Sequence, residues 1–237
     1  MRPTPSKQTL LNYLAENITF AGLAPAVLEE LLAAATLVPF AHDEILLRQG
    51  DEATTFIMVV EGRAKLLQIT PDGTQILVRY IGPGQECGIN SMLPHMVYKM
   101  TAQAMQSGLH LRWPGKTLAS IAQSHPIIGL NAMHLLILRN EELQQRYQEL
   151  LTDCVAQRLA QALLRLVAQV GRPVEGGTLI DLPLSREDLA QLTGTTLYTV
   201  SRTLSFWEQA GLIETGRGRV VILKMEEFEA LAAAIPG

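Results

Sequence analysis

Apolar and polar positions along the chain change period several times, and each change predicts a different kind of element. Thr9 to Leu14 carries a first helical signal, and Leu28, Leu31 and Leu32 recur at helical spacing before Pro39. Both stretches read as short peripheral helices. From Ile45 the pattern becomes strand-like, with apolar runs broken at Gly50, Gly62, Asp72-Gly73 and Gly82-Pro83-Gly84. Short strands punctuated at intervals of about ten residues predict a β-barrel or jelly roll. Strand character resumes over "VYKMTAQAMQSGLHLRW", ends at Pro114, and gives way to a short helix in "GKTLASIAQSH".

Pro126 opens the longest helical signal, free of Gly and Pro from Leu130 to Val170, a length that predicts two consecutive helices. In the first, Gly129, Met133, Leu136, Asn140, Leu143, Tyr147, Leu150 and Cys154 alternate at four- and three-residue steps, the seam pattern of a coiled coil. The stripe lasts about three and a half heptads and favours pairing with a second copy, with Asn140 fixing register. An amphipathic helix packed on its own domain is the competing reading. "GRPVEGGT" reads as a loop and "LIDLPLS" as a short strand. A mostly helical segment follows, closing with a hairpin tipped by Gly216 and Gly218 and a final helix.

The segment Leu189 to Ile213 carries the most specific pattern. Ser185 followed by Asp188 is a capping-box start, with Leu189, Ala190 and Leu192 on the apolar face of the helix it opens. Gly194 suits the positive φ of a tight turn, small Ala190 permits close approach, and Val200 points back to the first helix. This is helix-turn-helix spacing. The second helix starts at Thr196, a natural N-cap; Val200, Leu204 and Trp207 share one face, and Tyr198, Ser201, Arg202 and Ser205 the other. Hydroxyls around one arginine suit a major groove: Arg202 can bond a guanine edge bidentately, while Thr195, Thr196 and Ser201 reach phosphates or bases. Arg217 and Arg219 at the hairpin tip would contact phosphate as a wing. A solvated helix face is the bland alternative.

Composition narrows the classes. The chain has 237 residues, 48% hydrophobic and 18% charged, and no apolar run long enough to span a bilayer. The first residues lack a signal-peptide block, so a cytoplasmic location is expected. A net charge of -4 argues against a broad basic nucleic-acid surface but not against a local reading element. Cys87 and Cys154 are the two cysteines, which rules out a disulfide framework, a CxxC pair and a four-cysteine iron–sulfur cluster within one chain. "PGKT" at Pro114 to Thr117 resembles the end of a phosphate-binding loop, but His110 stands where that motif needs glycine. GxSxG and HExxH are absent, so the chain reads as no enzyme. His95, near the end of the roll, and His134, on the long helix, are the candidate axial ligands should haem be the cofactor.

A glycine-punctuated β-roll, a long dimerising helix and a winged helix-turn-helix, in that order, resemble the Crp/Fnr family of bacterial transcription regulators. The resemblance rests on "RQGD", "VVEGRAKL" and "LSREDLAQLTGTTLYTVSRTLSFWEQAGLI" and covers almost the whole chain. It implies an α+β fold with a sensor roll over residues 1–125, a dimerisation helix over 126–154 and a DNA-binding domain over 155–237. Its expected partners are a second copy, double-stranded DNA with a two-fold operator, and RNA polymerase.

Ser201 and Arg202 fall where the family places DNA-contacting side chains. Tyr198 departs from the glutamate of many members, so the family's familiar half-sites are not assumed. Cyclic-nucleotide-binding members carry a glutamate for the ribose and an arginine-serine pair for the phosphate. Here Ile89 stands at the first position and Tyr98-Lys99 near the second, with Leu143 and Gln144 where hydroxyl residues approach the adenine. An effector pocket on this pattern would be lined by Ile89, Asn90, Tyr98, Lys99, Met133, Ile137 and Asn140. The expected effector is therefore something other than cyclic AMP. Gas-binding haem, a small metabolite and no ligand at all stay open. The competing functions are a constitutive DNA-binding regulator with a vestigial roll and an enzyme with a regulatory roll.

Overall fold

The computed structural model describes residues 5–216 and 218–233. The chain forms two compact units that divide between Asn140 and Glu141. The first opens with α1 (Lys7–Glu16), a 3-10 turn at Ile18–Phe20 and α2 (Pro25–Ala33). There follow β1 (Thr36–Phe40), β2 (Ile45–Leu47), β3 (Thr55–Ile69), β4 (Gln75–Ile81), β5 (Glu86–Cys87), a 3-10 turn at Ile89–Met92, β6 (Thr101–Pro114) and α3 (Gly115–Ser124). α4 (Ile127–Thr152) runs across the division. The second unit continues with α5 (Val155–Val170), β7 (Gly171–Val174), β8 (Gly177–Ile180), α6 (Arg186–Thr193), α7 (Leu197–Gln209), β9 (Ile213–Gly216), β10 (Arg219–Ile222) and α8 (Met225–Ala233).

The roll is an antiparallel sheet in the order β1-β6-β3-β4, with β2 added on β6 and β5 on β3. Its axis is the long β3·β6 ladder, which runs from Thr55 opposite Pro114 to Leu67 opposite Thr101. Both faces of β3 are buried. Phe56, Met58 and Val60 enter one core cluster and Ile57 and Val59 the other, which explains the unbroken apolar run "FIMVV". The amino-terminal helices are less peripheral than their sequence suggests. Leu10, Leu14, Phe20, Leu28 and Leu31 join Phe56, Trp113 and Ile128 in one core. Trp113 Nε1 donates to the Leu31 carbonyl oxygen at 2.8 Å.

Three expectations about the local structure of this first unit need correcting. Gly62 does not break a strand; it lies within β3, where the register slips, and a Cβ there would sit 3.0 Å from the Gly108 Cα. A Cβ on Gly108 would in turn come within 2.0 Å of the Glu61 carbonyl oxygen, so this crossing of backbones requires glycine. "TLVPF" forms β1 despite Pro39, because β1 is an edge strand. Val97 to Met100 is not strand. It is a connection zipped to residues 50–53, with Gly50 N–H donating to Tyr98 O (2.9 Å), Tyr98 N–H to Asp51 O (3.0 Å) and Ala53 N–H to Met96 O (2.8 Å).

In the second unit α5 packs against α6, α7 and α8, and Trp207 meets Phe228 edge-on with ring centroids 5.0 Å apart. A four-stranded antiparallel sheet in the order β7-β8-β10-β9 lies alongside. "GRPVEGGT", expected as a loop, instead makes the β7–β8 hairpin around Gly176 at φ 82. "LIDLPLS" is strand only as far as Ile180.

Candidate nucleic-acid interface

Local chemistry builds the helix pair. Ser185 Oγ accepts from the Asp188 N–H at 3.0 Å, and Asp188 Oδ2 accepts from the Ser185 N–H at 3.2 Å, so two orphan donors at the start of α6 are satisfied reciprocally. α6 ends at Gly194, whose φ of 61 is the left-handed turn that glycine adopts without strain. There is no slack there: a Cβ on Gly194 would lie 3.2 Å from Leu150 Cδ2. Thr196 then caps α7 by accepting from the Thr199 N–H at 3.2 Å, and its hydroxyl pairs with that of Thr199 at 3.0 Å.

Val200, Leu204 and Trp207 are fully buried, which fixes the opposite face of α7 outward. Tyr198, Arg202 and Ser205 are exposed on that outward face; Ser201 and Thr195 are half-buried at its margin. Among the described residues Arg202 makes no hydrogen bond or ion pair, so its five donors stay free. The carboxylate of Glu208, near the end of α7, accepts from the Thr215 N–H (2.9 Å) and hydroxyl (3.0 Å). Those bonds hold its pKa below the usual range and tie α7 to the β9–β10 wing. On the wing, Arg219 stands 3.7 Å from Glu214, a long exposed pairing; Arg217 lies outside the described residues.

Four exposed residues of α7 were missed in the sequence: Leu197 (53% exposed), Phe206 (65%), Glu208 and Gln209. Helical spacing could have found Gln209, which follows Tyr198, Arg202 and Ser205 on one stripe.

Arg158 braces the base of this element. Its Nε donates to Thr193 O at 3.1 Å and its Nη1 to Asp153 O at 2.8 Å, joining the end of α6 to the junction between α4 and α5. Cys154 caps α5 in an extended conformation, φ -69 and ψ 161, and so stands beyond the end of α4 rather than on its stripe. The other members of that stripe, Met133, Leu136, Leu143, Tyr147 and Leu150, are between 52% and 63% exposed, and Asn140 is exposed among them.

The residues expected to line an effector pocket are scattered in role. Ile89 packs against the core formed with the amino-terminal helices. Asn90 Nδ2 donates to Val97 O at 2.7 Å. Tyr98 is 6% exposed, with its hydroxyl bonded to both backbone groups of Thr55, while Lys99 points to solvent. Met133, Ile137 and Asn140 are exposed on α4. His95, at φ 59 in a tight turn, and His134, on α4, are both exposed. The buried histidine is His110, stacked on Phe40 at 5.7 Å; burial and the Arg112 charge push its pKa down to about 4.

Comparison with known proteins agrees with this architecture. The family model for the cyclic nucleotide-binding domain matches residues 37–125, and that for the Crp-like helix-turn-helix domain matches residues 157–231. The nitrogen fixation regulation protein FixK of Bradyrhizobium diazoefficiens is 28% identical over 90% of this chain and 89% of its own length. The transcriptional activatory protein AadR of Rhodopseudomonas palustris is 29% identical over 90% and 87%. Among solved structures, FixK2 from Bradyrhizobium japonicum superposes with a TM-score of 0.74 at 22% identity, covering 85% of this chain and 99% of that one. These relatives are regulators, not enzymes. With a nucleotide-binding-type roll followed by a Crp-like helix-turn-helix, the chain belongs to the Crp/Fnr family of transcription regulators.

Proposed function

We propose that the protein acts as a homodimer that binds a two-fold operator through α7, with its roll responding to a signal other than a cyclic nucleotide. The carrying observation is the unpaired Arg202 guanidinium on the exposed face of a doubly capped helix-turn-helix, flanked by Tyr198, Ser201 and Ser205. Thr195, Thr196 and Arg219 border that face and suit phosphate contacts. Dimerisation is supported by the exposed Met133, Leu136, Leu143, Tyr147 and Leu150. So many large apolar side chains along one helix face lose contact with water only against a partner. A two-fold dimer places its half-sites about one helical turn of DNA apart. Activators among the relatives, such as FnrA of Stutzerimonas stutzeri, support RNA polymerase as a partner and a cytoplasmic site of action.

For a cyclic nucleotide the donor set does not fit. The phosphate charge needs a positive, hydrogen-bonding cradle, and Tyr98 is neutral and already bonded to Thr55. Haem does not fit His95 or His134 as the chain presents them, because an axial imidazole needs an apolar cleft around it.

Operator selection from random duplex DNA, followed by fluorescence anisotropy, tests the DNA reading. Arg202→Ala should cost about 1 to 3 kcal/mol on the selected operator and relax discrimination at one base pair. Equal losses on every sequence would reduce Arg202 to a phosphate contact, and failure to select any operator would refute the proposal.

A further inference from the structure

We infer that the first turn of α7 reads thymine through its 5-methyl group, with Leu197 and Tyr198 as the specificity-determining residues. This rests on α7 being the recognition helix and goes further by assigning the base chemistry of the half-site. Tyr198 is 72% exposed and Leu197 53% exposed, both in the turn that follows the Thr196 cap. In a docked helix-turn-helix the amino-terminal residues of the second helix meet the base edges. A first turn suited to adenine, guanine or cytosine would carry amide, cationic or carboxylate groups. Here it presents a branched aliphatic chain and a phenol. In the major groove the only apolar group on any base edge is the thymine methyl.

Two further observations narrow the choice. Cytosine presents an amino donor that a carboxylate would accept, and the one acidic side chain of α7, Glu208, is held by Thr215 at the far end of the helix. Thr196 and Thr199, the hydroxyls nearest to Leu197 and Tyr198, bond to each other. Apolar contact is therefore what the first turn offers, with the Tyr198 hydroxyl free to donate or accept at its edge. Arg202 follows Tyr198 by four residues, a rise of roughly 6 Å along the helix, or about two base-pair steps. The half-site then holds thymine about two base pairs from the guanine that Arg202 reads.

Replacing single thymines of the selected operator by uracil removes the methyl group and nothing else from the major groove. Wild-type protein should bind the substituted operator about fourfold more weakly at the contacted thymine, the value of burying one such group. In Leu197→Ala or Tyr198→Ala that penalty should vanish while discrimination at the guanine persists. Both side chains are exposed, and a thermal melt checks that the variants fold. Absence of a uracil penalty at every half-site thymine overturns the inference, as does a penalty that survives in both variants. Simultaneous loss of guanine discrimination overturns it too, since the first turn would then position the helix instead of reading a base. A chain that selects no operator overturns the recognition-helix reading beneath it.

Discussion

The Tyr98 hydroxyl grips both backbone groups of Thr55, accepting from its N–H at 2.8 Å and donating to its carbonyl oxygen at 2.9 Å. Thr55 stands opposite Pro114 in the β3·β6 register, and proline has no N–H to offer. The phenol thus completes the end of the longest ladder in the roll. Tyr98→Phe should lower stability by about 1 to 3 kcal/mol, since it strands a donor and an acceptor. Denaturant unfolding of the first unit's transition would measure it; an unchanged midpoint would mean that water replaces the phenol at no cost.

The same engagement of Tyr98 bears on cyclic nucleotides. Isothermal titration with cyclic AMP and with cyclic GMP should show no saturable binding in the micromolar range, where a 1 μM site would have roughly -8 kcal/mol of affinity. Lys99, the next residue along the chain, is exposed to solvent. Micromolar binding that Lys99→Ala abolishes would show that the segment rearranges to bring this ammonium inward.

Leu143 is 63% exposed on α4, so a charge placed there leaves the fold of a single chain intact. In a helix seam the same charge is buried without a partner, which is costly. Leu143→Asp should therefore yield a folded monomer in sedimentation equilibrium and weaken binding to a two-fold operator. A dimer that persists in this variant, and in Leu136→Asp, would place the interface elsewhere.

His110 makes stability fall with acid. Its folded pKa, pushed down to about 4, lies below the ordinary value, so between pH 6.5 and 4 the unfolded chain takes up a proton that the folded chain refuses. The lost stability approaches about 1.4 kcal/mol per pH unit in the middle of that window and is absent above it. His110→Leu should flatten this part of the curve. Identical slopes for wild type and variant would assign the acid sensitivity to other groups.

Features whose causes lie within a few residues of one another can be read directly along the chain. The Ser185–Asp188 capping box, the left-handed turn at Gly194, the Thr196 cap and the buried Val200, Leu204 and Trp207 face were all legible, because caps and helical faces depend on chemistry one turn away. So was the division of the long helical signal into α4 and α5, although not that Cys154 would cap the second. Tertiary structure decided the rest. It turned Tyr98 from a pocket candidate into a clamp on a residue 43 positions earlier in the chain. It set β10 beside the "GRPVEGGT" hairpin to complete a sheet, and it buried His110 against Phe40. A period or a motif records what a side chain prefers. Which distant backbone is left without a hydrogen-bond partner, and which side chain is called in to satisfy it, follows only from the register of strands that the sequence places far apart.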